Sequence, residues 1–194
     1  MATNANVPFG FQPDRRLDGA ALNFMVNTGQ IAYNNAHTFG FGDVVTLLST
    51  GFIDSASTNS NPILGVFTNC TFPTTGAVPA TLPQRLWNAP TLASTVAVPA
   101  QYWDDPNIVF RVRANGSVPY SSIGLNANFV SNAAPNMTTG ISNAALDTTT
   151  ISTTSTLPFR IIGYAADINN VTSSAFPVVE VVLNTSVYKT PTGV

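Results

Sequence analysis

At 194 residues the chain is long enough for one well-buried domain and too short for two comfortable ones. Hydrophobic residues make up 44% and charged residues only 8%, against about 25% in an ordinary soluble domain, so the bulk is not disordered and Thr, Asn and Ser take the place of surface charge. The formal net charge is −2, only Lys189 among seven basic residues is a lysine, and no Lys/Arg cluster is large enough to neutralise a row of phosphates, which disfavours nucleic-acid binding.

Residues 1–19 read as an extended N-terminal arm. Val7, Phe9 and Phe11 alternate with small or polar residues, Pro8 and Pro13 forbid a helix, and Arg15, Arg16 and Asp18 follow before Gly19. Such a segment either lies against a partner, burying its Phe side chains, or adds an edge strand to its own domain. The opening MATNANVPFGF lacks the basic n-region and apolar core of a signal peptide, and no apolar run approaches the length of a membrane span.

Residues 20–194 read as a single β-domain with long loops. Short runs rich in Val, Ile and Phe recur between Gly, Pro, Asn and Asp, and each predicts a strand: ALNFMV (21–26), DVVTLL (43–48), ILGVFT (63–68), STVAVPA (94–100), NIVFRVR (107–113), PFRIIGYAA (158–166) and FPVVEVVLN (176–184). Residues 70–91 and 167–175 read as loops. The single cysteine, Cys70, predicts a small buried thiol with no intrachain disulfide, in keeping with synthesis in a reducing cytosol. In NIVFRVR, Ile108, Phe110 and Val112 share one face, and Val109, Arg111 and Arg113 the other. Asp104 and Asp105, ahead of Pro106, open that strand as turn residues or as partners for Arg111 and Arg113. Asn115-Gly116 closes it and predicts a tight two-residue hairpin. The Thr-, Ser- and Asn-rich segment 131–157 predicts an edge strand or a long β-arm. No segment carries a capped helical periodicity, so the chain reads as all-β.

The sequence offers little chemistry. The one histidine, His37, lies in a polar, glycine-rich turn, and no nucleophile motif exists for it to serve. A Cys- or His-rich metal site is excluded by count, no phosphate-binding loop is present, and D-I-N-N at 167–170 is a poor calcium loop. Glu180, the sole glutamate, falls mid-strand, where an outward position is the simplest account. The residues predict no enzyme, no cofactor and no metal.

Several stretches nevertheless share a pattern: PFGFQPDRRLDGA (8–20), FGDVVTL (41–47), NPILGVFTN (61–69), YWDDPNIVFRVRANGSVPYSSIGLNANF (102–129) and TGISNAALDTTTISTTSTLPFRIIGYAADINN (139–170). The most specific piece is D-D-P-N…F-x-V-x-A-N-G-S…G-L-N-A. The chain resembles the capsid decoration, or cement, proteins of tailed bacteriophages. Trp103 and the prolines at 73, 79, 83, 90 and 99 depart from the pattern. The resemblance implies a β-barrel or β-sandwich, jelly-roll-like, that binds the outer surface of the phage head and stabilises contacts between capsomers. Its implied partners are the major capsid protein and itself, as a dimer or trimer, with no nucleic acid and no membrane. It would be made in the host bacterial cytoplasm and end on the virion. Phe9, Phe11, Arg15 and Arg16 are the capsid-contact candidates, since aromatic and Arg side chains dominate interface energies. The 131–157 segment is a second candidate. A different reading, a carbohydrate-binding or host-adhesion β-sandwich, would place Trp87, Trp103 and Tyr120 as stacking platforms for sugar.

Overall fold

A computed structural model of the chain describes residues 4–22, 26–58, 62–72, 83–88, 96–130 and 134–189. Among these residues the regular elements are strands and one 3-10 turn, Tyr120–Ser122. The largest sheet has the order β1 (Gln12–Arg16), β9 (Ile108–Arg113), β13 (Val178–Leu183), β12 (Phe159–Tyr164), β10 (Asn126–Val130) and β11 (Ala145–Ser152). A five-stranded sheet follows the order β2 (Asn27–Ile31), β8 (Val98–Trp103), β6 (Gly65–Cys70), β4 (Val44–Leu47) and β5 (Ile53–Ser55). A small third sheet pairs β3 (Thr38–Gly40) with β7 (Leu86–Asn88). All of these strand pairs are antiparallel.

The layers follow from side-chain alternation. In β9, Ile108, Phe110 and Val112 face one core; Phe159 and Ile161 of β12, Val179 and Val181 of β13, and Val44, Val66 and Trp103 from the five-stranded sheet meet them there. The next residues along the latter strands, Val45, Phe67 and Tyr102, point the opposite way into a second core with Phe39 and Trp87 of the third sheet. The five-stranded sheet is therefore the middle layer of a β-sandwich and apolar on both faces, so Val44-Val45 of β4 and Val66-Phe67 of β6 are consecutive apolar residues rather than an alternation. The largest sheet also curls. Ala114, just beyond β9, forms a parallel bridge to Leu146 of β11, and the Asn115 N–H donates to the Leu146 carbonyl at 3.0 Å.

Five expected strands lie close to where the sequence places them: 43–48, 63–68, 107–113, 158–166 and 176–184. The run 94–100 becomes β8, displaced toward Trp103, while 21–26 falls partly outside the described residues and gives way to β2. Much of the 70–91 loop, with residues 131–133, also lies outside them. Cys70 is fully buried as a free thiol, pushed up to about 12 by that burial.

Of the two alternatives for the N-terminal segment, the structure shows the edge strand: Gln12–Arg16 pairs with β9 in the largest sheet. Phe11 is fully buried, stacked on Phe159 with ring centroids 4.3 Å apart and edge-on to Phe129. Asn115-Gly116 makes no hairpin, because β9 has β1 and β13 as neighbours and neither residue adopts positive φ. A Cβ at Gly116 would sit 2.5 Å from Thr148 Oγ1, so any side chain there would displace that hydroxyl.

Candidate interaction surface

The chain has few charges, and most of them gather on and beside β1, β9 and β13. Arg15 lies on the β1 edge with Nη2 2.6 Å from Glu180 Oε2 of β13. Arg16 pairs with Asp18 at 2.9 Å and with Asp105 at the entrance to β9. On β9, directly across from Glu180, Arg111 lies between Asp14, at 3.8 Å, and Asp167, at 3.7 Å. Arg113 donates to the carbonyls of Val7 and Phe176, at 3.0 and 2.8 Å, and lies over the Phe9 ring.

The network follows from local sequence constraints. Pro13 has no N–H to give a ladder and sits on an edge, where the loss is tolerated, and the pairing skips Asp14 as a bulge. The bulge re-aims Asp14 and Arg15, and antiparallel pairing brings Glu180 opposite Arg111. Glu180 is buried, and Arg15 supplies its counter-charge. Arg16 holds the Asp18 carboxyl below its ordinary range. Exposed pairs of this kind add little stability singly, typically 0 to about 1 kcal/mol. What they do is fix a patterned array of donors and acceptors. Beside it, Leu17 is 49% exposed, and Ile168, next to Asp167, is 99% exposed.

The residues singled out from sequence are distributed as follows. Asp105 does shape a turn: its Oδ1 accepts the Asn107 N–H at 2.8 Å and its carbonyl accepts the Ile108 N–H at 3.0 Å. Asp104 accepts from the Asn27 side chain at 2.6 Å. Of the two alternatives for this pair, the turn holds for Asp105 and the pairing with Arg111 and Arg113 does not, since Arg16 takes Asp105 and the two later arginines have the partners given above. Of the four capsid-contact candidates, Phe11 is withdrawn into the core, Phe9 is half-buried beneath Arg113, and Arg15 and Arg16 belong to the charged network. Trp87 is fully buried against Phe39 and Phe72, and Trp103 is 5% exposed against Phe41 and Phe110, so neither is a sugar platform. Of that trio only Tyr120, 77% exposed, is open to a ligand.

His37 lies with Nδ1 2.8 Å from Asp54 Oδ1, and Asn35 donates to the same oxygen at 2.8 Å. This clips the 32–37 turn to β5; no Ser or Cys nucleophile bonds to the imidazole among the described residues. Among those residues, no three His, Cys, Asp or Glu side chains come together as they would around a metal ion. A buried carboxyl that sequence reasoning missed is Asp43, just before β4. It accepts from Ser142 Oγ at 2.5 Å and from the Gly40 N–H at 2.7 Å. Burial raises it to about 6 against the lowering effect of those two donors.

No protein-family model, curated protein or solved structure matches this chain.

Proposed function

We propose that the chain is a capsid decoration protein. It binds the outer surface of a phage head and stabilises contacts between capsomers, without catalysis. The observation that carries this reading is the charged network on and beside β1, β9 and β13, bordered by the exposed Leu17 and Ile168, on a protein with only 8% charged residues. Two exposed apolar side chains flanking an ordered set of Arg and Asp side chains suit a partner of fixed geometry. The motif pattern over residues 8–20, 102–129 and 139–170 supports the same class. Apart from Glu180, three stretches of that pattern supply the network: Asp14 to Asp18, Asp105 to Arg113, and Asp167. Modest contacts repeated over a shell add up through multivalency, so no single copy needs high affinity.

The contact surface is a face built around the edge strand β1, and Phe11 supports it from behind. The major capsid protein is the partner, and a dimer or trimer of the chain is the form that would sit over a symmetry junction. Light scattering of the purified protein, followed by cosedimentation with emptied phage heads lacking their decoration protein, tests this. A defined oligomer that pellets to saturation at a fixed ratio is expected; a protein that stays in the supernatant at every concentration would refute it.

A further inference from the structure

We infer that the groove between the Ser117–Ser122 turn and the 165–177 loop is a binding site for a neutral saccharide. The groove has a volume of about 500 Å³, within the range of small-molecule sites and large enough for one or two sugar rings. One wall is aromatic. Tyr120 stands 77% exposed, its ring 5.7 Å from that of Tyr164 and tilted by 31°. The Tyr164 hydroxyl donates to the Val118 carbonyl at 2.5 Å, and Ser122 N–H closes the turn onto Pro119 at 2.9 Å. Those bonds fix Tyr164 and the turn that carries Tyr120.

The other wall carries hydroxyls. Ser117, Thr172, Ser173 and Ser174 line it. The loop presenting three of them is held from behind. Asn170 bonds to the backbone of both Ala165 and Val178, and Asn4 bonds to the carbonyls of Val171 and Ala175. Phe176, at the loop's end, has φ 59°, a conformation that bulky side chains rarely adopt. Its N–H is bonded to Gly116 at 3.1 Å and its carbonyl to Arg113 at 2.8 Å, so the surroundings enforce it. Such local strain clusters at binding sites.

The lining selects the ligand class. It contains no Lys, Arg, Asp or Glu, so an ionised ligand would lose water and gain no counter-charge. A purely apolar ligand would cover the Ser and Thr hydroxyls and offer them no hydrogen bond. A sugar ring satisfies both walls, with its C–H face on tyrosine and its equatorial hydroxyls on serine and threonine.

The test is binding of the full chain to an array of neutral and acidic oligosaccharides, with hits titrated by calorimetry. At least one neutral oligosaccharide is expected to bind saturably, with Kd on the order of a millimolar or tighter. Tyr120→Ala should weaken it tenfold or more, and Tyr120→Phe by no more than about twofold, with thermal stability unchanged because the ring is exposed. Absence of saturable binding across the array, a preference for acidic sugars, or binding unchanged in Tyr120→Ala would each overturn the assignment. Shell binding is measured separately and does not depend on this result.

Discussion

The two edges of the largest sheet, β1 and β11, solve one problem by different chemistry. An open edge presents unpaired N–H and C=O groups and invites another strand to add. On β1 the defence is a proline, a bulge at Asp14 and charged side chains tied to Glu180 and Asp105. β11 carries one charged residue, Asp147, in a Thr-rich strand. Its defence is a larger bulge, where the partners of Asn126 and Asn128 jump from Ser152 to Asp147, and a clasp that folds its start onto Ala114 and Asn115. There Asn115 Oδ1 accepts the Thr148 N–H at 2.9 Å and the Thr148 hydroxyl at 3.0 Å. The difference teaches where a partner has something to read. The β11 clasp satisfies itself, whereas β1 keeps its strand pairing closed and leaves an ordered charged face outside.

The two edges share one junction. The Gly10 N–H donates to Ala144 at 3.2 Å, just before β11, and the Phe11 N–H donates to Gly42 at 2.9 Å. A Cβ on Gly10 would sit 2.6 Å from Ser142 Cβ and 2.8 Å from the Gly42 carbonyl, and its φ of 74° also favours glycine. The Ser142–Asp43 bond closes this junction.

The largest expected effect comes from Phe11→Ala, which removes a fully buried ring between Phe129 and Phe159 and should cost about 3–5 kcal/mol in chemical denaturation. A cost below about 1 kcal/mol would mean that β1 is detachable and the arm reading stands after all. Next is the pH response of the shared junction. Asp43 is raised in the folded state, so its stabilising contribution is full below about pH 4 and is lost as pH rises through about 6. Asp43→Asn keeps one acceptor and one donor but cannot titrate. Between pH 7 and pH 4 the wild type should gain about 2–3 kcal/mol relative to that variant; parallel stability–pH curves would contradict the junction. The smallest of the three stability effects belongs to the β11 clasp. Asn115→Ala should cost about 1 kcal/mol and speed amide exchange at Thr148, with the β1 strand amides unaffected.

The sequence announces the apolar strands because β4, β6, β9, β12 and β13 are runs of β-branched and aromatic residues. It hides β2, NTGQI, and β3, TFG, whose pairing depends on neighbours 75 or 50 positions away, such as Asn27 with Tyr102 and Thr38 with Asn88. Asn115-Gly116 misleads for the same reason: the dipeptide favours a hairpin only when the next strand in sequence is also the next in space, and β9 pairs with distant strands. Of the charged face, the residues were legible and the partnerships were not. Arg15 meets Glu180 across 165 positions and Arg16 meets Asp105 across 89. Trp87 and Trp103, at strand positions bounded by loops, carry no local signal that separates core from platform. Tertiary burial decides it.

The most direct test of the central claim compares the wild type with a Leu17→Ser/Ile168→Ser double variant in cosedimentation with emptied heads. Both side chains are exposed, so the variant should keep its fold within about 0.5 kcal/mol. The wild type is predicted to pellet to saturation and the variant to lose at least tenfold in affinity. Equal pelleting of the two folded proteins would contradict the assignment of this face.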